Sequence, residues 1–194
     1  MVNDAKKIGV LALQGDFIEH IAVLRRLGVD AVEVRLPADL QDLSGLIIPG
    51  GESTTIGKLA VSYGLMNPLR NFGRHKALWG TCAGMILMAK DIGRDQPLLG
   101  LMDINVQRNA FGRQKESFRS DITVPVLEAG DVRPFPAVFI RAPKLLSTNG
   151  KAKVIAFLPD GTVVAAQEGK WLVTSFHPEL TTDDRFHRYF LSLV

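Results

Sequence analysis

Residues 77–90 read ALWGTCAGMILMAK: a short apolar strand over Ala77–Thr81, Cys82 between two glycines, and an apolar helix over Ala83–Lys90. A strand that turns into a helix at Gly-x-Cys-x-Gly is typical of a nucleophile elbow, where a tight turn holds the reactive side chain above the sheet. The helix N-terminus favours the thiolate, and the N–H of Ala83 is available to bind an oxyanion. The alternative is a buried structural cysteine between glycines needed for packing.

Outward from this stretch, strand and helix signals alternate through the first half of the chain. The strands are apolar runs ended by glycine, proline or polar residues, and the helices carry apolar residues at helical spacing. The predicted strands are Ile8–Leu13, Ala31–Val34 and Gly45–Ile48, and the predicted helices are Phe17–Leu27, Ser53–Ser62 with Ser53 as N-cap, and Pro68–Arg74. This order predicts an α/β fold of three layers, with a doubly wound, mostly parallel sheet.

The second half of the chain predicts an antiparallel extension of that sheet. Strand signals dominate it, and Pro159-Asp160-Gly161 marks a hairpin turn. The predicted strands are Ile104–Gln107, Ile122–Val126, Val138–Arg141, Lys153–Phe157, Thr162–Gln167 and Trp171–Phe176, and a helix follows over Asp183–Leu193. No repeat or linker interrupts the pattern, so we expect one domain over residues 1–194.

The composition excludes several classes of protein. Apolar residues make up 46% of the 194 residues, which is enough for a buried core and too many for a disordered chain. No apolar run reaches the roughly 18 residues of a membrane span. The net charge of +3 is scattered, whereas a nucleic-acid-binding protein would carry a clustered basic face. The single cysteine, Cys82, allows no internal disulfide, so we expect a cytoplasmic protein.

A candidate general base follows the last predicted strand, in Phe176-His177-Pro178-Glu179. Proline favours an extended backbone before it, and residues two apart in an extended chain project to the same side. Glu179 would then hold the imidazole of His177 in one tautomer while that imidazole exchanges a proton with Cys82. The alternative is a solvated loop. The remaining histidines lie in predicted helices or in a polar stretch and are poorer candidates: His20, His75 and His187.

A Gly-Gly pair ends another predicted strand, in the stretch IIPGGES over residues 47–53. Ligands of open α/β sheets bind at that edge, and Gly50 or Gly51 could supply a second N–H for an oxyanion. The stretch matches neither of the common glycine-rich phosphate-binding patterns, and the simpler alternative is a turn followed by a helix cap. Arg108 and Arg141 are candidates for binding a substrate carboxylate, although each is more often a surface charge.

Taken together, these motifs resemble those of the class I glutamine amidotransferases, which use a catalytic triad. The shared motifs are PGGES and GTCAG after strands, and FHPE before the final helix. More narrowly, the segments LALQGDFIEH, IPGGESTTIGKL, GTCAGMIL, RNAFGRQ and VFIRAP are similar to the glutaminase subunits of pyridoxal 5′-phosphate synthase. The resemblance covers nearly the whole chain, from Ile8 to Tyr189, and implies a flavodoxin-like fold.

The resemblance also implies roles for individual residues. Cys82 would be the nucleophile, His177 and Glu179 would complete the triad, and no cofactor or metal would be needed. The oxyanion hole would draw on the backbone of Gly50, Gly51 and Ala83. The positions that align with glutamine binding are Gly51, Glu52, Ser53, Arg108, Ile140 and Arg141.

By the same resemblance, the chain would hydrolyse L-glutamine to L-glutamate and ammonia. The ammonia would pass through a protected route to a separate (β/α)₈ synthase subunit in a hetero-oligomer, which combines it with a pentose phosphate and a triose phosphate. Docking of the synthase would activate the glutaminase. The loop Leu13-Gln14-Gly15-Asp16, with Gln14 and Gly15 at its centre, follows the first strand at the same sheet edge and is our candidate contact. Three alternatives are a glutaminase that feeds another synthase, a cysteine hydrolase on the same scaffold, and a non-enzymatic module with a relic site.

Overall fold

The computed structural model describes residues 6–108, 117–127 and 133–194. Its strands are β1 (Lys7–Leu11), β2 (Asp30–Val34), β3 (Gly45–Ile48), β4 (Ala77–Thr81), β5 (Ala89–Asp91), β6 (Met102–Gln107), β7 (Ser117–Ile122), β8 (Phe135–Ile140), β9 (Lys144–Thr148), β10 (Lys153–Phe157), β11 (Val163–Glu168) and β12 (Trp171–Thr174). Its α-helices are α1 (Phe17–Arg26), α2 (Ser53–Ser62), α3 (Met66–His75), α4 (Ala83–Met88) and α5 (Arg185–Leu193). Among these helices, none is long and apolar enough to cross a bilayer.

A sheet of seven strands within the described ranges has the order β10-β11-β12-β4-β3-β1-β2. The strands from β2 to β12 in this order are parallel to their neighbours, and β11 and β10 add an antiparallel edge. The sheet confirms the predicted mostly parallel architecture with an antiparallel extension.

Helices cover both faces of this sheet, because its central strands are apolar on both sides. All residues of β3 and β4 are buried. One face packs against α1 and α5, with Trp79, Phe186 and Phe190 in the shared core. The other face packs against α2, α3 and α4. Two separate hydrophobic layers therefore fix the sheet between helices, as expected for a doubly wound fold.

The parallel strands determine where the functional residues lie. Because β1, β3, β4 and β12 run in one direction, their carboxyl ends meet at one edge of the sheet. The loop after each strand therefore starts at that edge. These four loops begin at residues 12, 49, 82 and 175, and they contain the stretches that the sequence analysis selected. Ligands of open α/β sheets bind at such an edge.

The structure corrects several predicted element boundaries. Helix α4 ends at Met88, not at Lys90, because residues 89–91 form β5 and pair with β6. The strand predicted over Ile122–Val126 ends at Ile122, since Pro125 begins a short 3₁₀ helix. Strand β9 was not predicted. It pairs antiparallel with β6, and only Leu145 of its five residues is buried, so it lacks the apolar alternation that would distinguish it from a loop.

The N-cap of α2 was also predicted at the wrong residue. Ser53 is the first residue inside the helix, and the carboxylate of Glu52 accepts hydrogen bonds from the backbone N–H groups of Thr54 and Thr55. Both serine and a carboxylate can cap a helix, and the carboxylate here satisfies two free N–H groups at once. Glu52 is thus fixed at the sheet edge where the four loops meet.

Candidate active site

The backbone at Cys82 has the strained geometry of a nucleophile elbow. Its φ is 47° and its ψ is −100°, a conformation that side-chain-bearing residues seldom adopt. Its backbone N–H donates to the carbonyl of Thr174 at 2.8 Å, which ties the turn to β12. A β-carbon on Gly84 would overlap the carbonyl oxygen of Ile48, and one on Gly80 would lie 2.5 Å from the Gly84 carbonyl carbon. Both glycines of the motif are therefore required by close packing.

His177 and Glu179 form a hydrogen-bonded pair, as the sequence predicted. Nδ1 of His177 lies 2.7 Å from Oε1 of Glu179, and both side chains are almost fully buried. The predicted reason was wrong, because Pro178–Leu180 is a 3₁₀ turn and not an extended segment. The turn brings the carboxylate back under the imidazole. The backbone N–H of His177 donates to Val138 at 2.8 Å, so β8 also holds the histidine in place.

The imidazole of His177 is held in its protonated form. Burial by itself would lower its pKa, but hydrogen bonds with three neighbours and the charge of Glu179 outweigh burial and raise the pKa of His177 to about 12. The three hydrogen-bonding neighbours are Asp16, Cys82 and Glu179. Burial raises the pKa of Glu179, and the adjacent imidazole opposes that rise. A charged imidazole beside a sulfur stabilises the thiolate form of that sulfur.

Asp16 was predicted only as part of the candidate contact loop, and its place beside His177 was missed. Its Oδ2 lies 3.3 Å from Nδ1 of His177, so the imidazole has a second carboxylate neighbour besides Glu179. Its backbone N–H donates to the carbonyl oxygen of Gly50 at 3.0 Å. Asp16 directly follows Gln14 and Gly15. Its position, as an acidic residue in a loop at the sheet edge, could have indicated a role in the site.

The contact with Asp16 predicts a change in the titration of His177. In Asp16→Asn the imidazolium loses one negative neighbour, so the pKa of His177 falls and the ring releases its proton at lower pH. The NMR resonance of its Cε1–H, followed against pH, measures the midpoint. Glu19→Gln, at an exposed carboxylate on α1, is the matched control. An unchanged midpoint in Asp16→Asn would show that the aspartate does not act on the ring.

The Gly50-Gly51 segment is locked against the loop that contains Gln14 and Gly15. The side-chain Oε1 of Gln14 accepts a hydrogen bond from the backbone N–H of Glu52 at 2.6 Å. A β-carbon on Gly15, whose φ is 99°, would overlap the carbonyl oxygen of Gly50. Movement of either loop therefore acts directly on the Gly50-Gly51 peptide.

Arg108 and Glu52 form a second charged pair at the edge. Nη2 of Arg108 lies 3.0 Å from Oε1 of Glu52, and Nη1 donates to the hydroxyl of Thr54 and to Oε1 of Gln96, each at 2.9 Å. Burial would raise the pKa of Glu52, but hydrogen bonds from Thr55 and Thr54 outweigh it and lower the pKa to about 2. Gln96, which the sequence analysis did not select, thus helps to fix the plane of the guanidinium. The residues after Arg108 in the RNAFGRQ motif, 109–114, lie outside the described residues.

These side chains surround a cavity of about 400 Å³. Its lining residues are Gln14, Gly15, Asp16, Gly51, Glu52, Ser53, Cys82, Ile86, Arg108, Ile140, Arg141 and His177. Every predicted substrate-binding residue is among them. Gly50 and Ala83 lie next to lining residues in the chain, and Glu179 is buried behind His177. Arg141 has a φ of 43°, so the backbone at the end of β8 is strained where it borders the cavity.

Among the residues that the structure describes, one group of side chains at the site has the spacing of a metal site. One donor atom from each of Asp16, His177 and Glu179 lies within 4.8 Å of the others. The distance of 2.7 Å between the imidazole and Glu179 is that of a hydrogen bond, and a proton on Nδ1 satisfies both carboxylates. The arrangement is that of a hydrogen-bonded pair of a charged imidazole and a carboxylate.

Comparison with known proteins agrees with this fold. A model of the SNO glutamine amidotransferase family matches residues 10–194. The chain is 57% identical over 192 residues to "Pyridoxal 5′-phosphate synthase subunit PdxT" of Dehalococcoides mccartyi, with 97% of each chain covered. It is 53% identical over 191 residues to the protein of the same name from Chloroflexus aurantiacus, with 96% of this chain and 99% of the relative covered.

A crystal structure described as a glutamine amidotransferase has a TM-score of 0.90 and 50% identity, and covers 96% of this chain and 97% of its own. The fold and the sequence therefore define the class as glutamine amidotransferases. Within that class, the chain belongs to the SNO glutamine amidotransferase family.

Proposed function

We propose that this chain is the glutaminase subunit of a pyridoxal 5′-phosphate synthase. It hydrolyses L-glutamine to L-glutamate and ammonia and delivers the ammonia to a synthase subunit. The observation that carries the proposal is that Cys82 and His177, the latter hydrogen-bonded to Glu179, line one cavity together with Arg108 and Glu52. The relatives that are more than half identical carry the name of that subunit.

The first half of the reaction forms a thioester. The thiolate of Cys82 attacks the side-chain amide carbon of glutamine, and the carbonyl oxygen becomes an oxyanion. The N–H of Ala83, at the first position of α4, has no partner within the helix and is the first donor to the oxyanion. Gly50 or Gly51 supplies the second. The proton on His177 passes to the departing nitrogen as the carbon–nitrogen bond breaks, and ammonia leaves.

The second half restores the enzyme. His177, now neutral, takes a proton from water as the water oxygen attacks the thioester carbonyl. A second oxyanion forms at the same donors, the carbon–sulfur bond breaks, and glutamate leaves. The thiolate and the imidazolium are then back in place. Glu179 stabilises the imidazolium and holds Nδ1 toward itself in both halves, so that Nε2 is the nitrogen that exchanges protons with the reactants.

Two charged groups suit the α-carbon end of glutamine. The guanidinium of Arg108 is a natural partner for the α-carboxylate, and Glu52, ionised at neutral pH, is one for the α-ammonium group. Their mutual contact at 3.0 Å orients both before substrate binds. Ser53, Gly51, Ile140 and Arg141 complete the proposed binding site from the other sides of the cavity. No cofactor takes part.

The partner is a (β/α)₈ synthase subunit, bound in a hetero-oligomer in the cytoplasm. We place its contact at Gln14 and Gly15, because this loop holds the Gly50-Gly51 peptide through the hydrogen bonds described above. Docking there can reorient the peptide that supplies the second oxyanion donor. Glutamine hydrolysis should consequently rise when the synthase is added, and equal rates with and without it would contradict this activation.

A reconstitution experiment tests the function. The chain is mixed with the synthase subunit, a pentose phosphate and a triose phosphate, and pyridoxal 5′-phosphate is followed by its absorbance. We expect glutamine to replace ammonium salt only when the chain is present. Cys82→Ala should retain the reaction with ammonium salt and lose that with glutamine. A chain that cleaves peptides, or one that supplies ammonia only to another synthase, would show that the proposal is wrong.

The contact between Gly50 and His177 gives a further prediction. In Gly50→Ala the added methyl group would overlap Cε1 of His177 and lie 2.9 Å from its Nδ1, so the ring must move. Small displacements of catalytic groups are costly, and we expect kcat for glutamine to fall about a hundredfold. Gly93→Ala, whose methyl group meets nothing within 4 Å but whose φ of 67° strains a residue with a side chain, should lower the melting temperature and keep kcat. A folded and fully active Gly50→Ala would contradict the predicted position of the ring.

A further inference from the structure

A chain of buried polar side chains continues from Glu179 away from the cavity. The second carboxylate oxygen, Oε2, lies 3.3 Å from Nε2 of His20 on α1. Nδ1 of His20 lies 3.0 Å from Nε2 of His187 on α5. Both histidines are completely buried, and neither lines the cavity. The sequence analysis had set both aside as helix residues, and the proposed reaction steps do not use them.

The protons on this chain can be assigned from its chemistry. Burial lowers the pKa of His20 and of His187, the latter to about 3, so both rings are neutral at physiological pH. A carboxylate only accepts hydrogen bonds, so the nitrogen of His20 that faces Glu179 carries the proton. The other nitrogen of His20 must then accept, and His187 must donate to it from Nε2. One tautomer of each ring satisfies all these contacts.

His20 lies next to a buried carboxylate oxygen of Glu179 that requires a hydrogen-bond donor. Within the described residues, Oε2 of Glu179 is fully buried and has no hydrogen-bond partner, although Nε2 of His20 lies 3.3 Å away. An ionised carboxylate in such a place is strongly destabilised unless donors surround it. Nε2 of His20 lies 3.2 Å from the hydroxyl of Thr81, its hydrogen-bond partner, and 3.3 Å from Oε2, so a reorientation of its N–H would give that oxygen a donor.

We propose that His20 is a positioning residue that keeps Glu179 ionised and oriented toward His177, and that His187 fixes the tautomer in which His20 can donate. The inference rests on the proposed glutaminase function and adds two residues to its machinery. The charged or titratable groups around these rings are Glu179, His177, Asp184 and Arg26. The uncharged polar neighbours on β4 are Thr81 and Trp79.

The test compares His20→Leu with His20→Gln in the complete complex. Leucine removes the donor, so the pKa of Glu179 rises and that of His177 falls. We expect kcat for glutamine to drop about ten- to a hundredfold, as for other supporting residues, with KM nearly unchanged. The NMR titration midpoint of His177 should move to lower pH. The side chain introduced by His20→Gln keeps an N–H donor near the position of Nε2. This variant should therefore retain most of the wild-type kcat and a His177 titration midpoint close to that of the wild type.

Controls separate positioning from packing. Trp79→Phe reduces contact with both histidines but leaves the pair of His20 and Glu179 intact, so it should lower only the melting temperature. An equal midpoint shift in Trp79→Phe, or an unchanged midpoint in folded His20→Leu, would overturn the inference. If His20→Leu does not fold, His187→Phe replaces it in the test. It removes the group that fixes the tautomer of His20, so the titration midpoint of His177 should again move to lower pH. The NMR midpoint of His177 does not depend on glutamine turnover. A wild type that does not hydrolyse glutamine would refute the proposed function, and the midpoint would still show whether His20 acts on Glu179 and His177.

Discussion

Cys82→Ala should lower glutamine hydrolysis by about 10⁴-fold or more, since no other thiol exists in the chain to form the thioester. A 10⁴-fold loss corresponds to about 5.4 kcal/mol of transition-state stabilisation. Alanine lacks the Sγ atom of cysteine and adds no atom at a residue that already has a positive φ. The variant should therefore keep the fold. Coupled assay of glutamate production in the synthase complex measures the loss.

Two further measurements make the Cys82 prediction specific. A glutamine analogue with an electrophilic side chain should add to the wild-type chain at residue 82, and peptide mass spectrometry should find no adduct on Cys82→Ala. The melting temperature of the variant should stay close to that of the wild type. Substantial glutamine hydrolysis by a folded Cys82→Ala would exclude the covalent mechanism.

His177→Asn should have the second largest effect, a loss in kcat of about 10³- to 10⁴-fold. Asparagine can keep a hydrogen bond to Glu179 but cannot carry a proton between the sulfur, the leaving nitrogen and water. The pKa of His177, raised to about 12, means that the wild type holds the imidazolium across the physiological range. The variant lacks this charge at every pH, so its residual rate should depend more steeply on hydroxide than that of the wild type.

The comparison with Glu179→Gln assigns the roles within the pair. The side chain introduced by Glu179→Gln can still hold one tautomer of His177 through its carbonyl oxygen, but it is uncharged and no longer stabilises the imidazolium. We expect a smaller loss than in His177→Asn. Full activity of Glu179→Gln would show that the carboxylate has no catalytic role, and a loss greater than that of His177→Asn would show that the order of the roles is wrong.

The parts of this fold that sequence reasoning recovered are those with local signals. Apolar runs mark β3 and β4, and the turn residues between β10 and β11 mark a hairpin. The Gly-x-Cys-x-Gly motif predicted the strained turn at Cys82, because the close packing of both glycines is a property of that turn itself. The convergence of the loops followed from the parallel order of the strands.

The parts that were missed depend on contacts between distant segments. Asp16 reaches His177 only because β1 and β12 end at the same edge, and Gln96 reaches Arg108 from a loop with no regular pattern. His20 and His187 lie on helices at opposite ends of the chain and meet under the sheet. The helix cap at Glu52 was misplaced for a local reason, since two adjacent residues were both able to cap.

The position of β12 next to β4 has a consequence for synthesis of the protein on the ribosome. β12 is the last strand to be made, yet it lies inside the sheet, between β11 and β4. Until residues 171–177 emerge, the nascent chain exposes an apolar, unpaired edge on β4 and lacks its imidazole. Such an edge invites aggregation and chaperone binding. By the proposed mechanism, an unfinished polypeptide cannot release ammonia, because His177 directly follows the segment that completes the sheet.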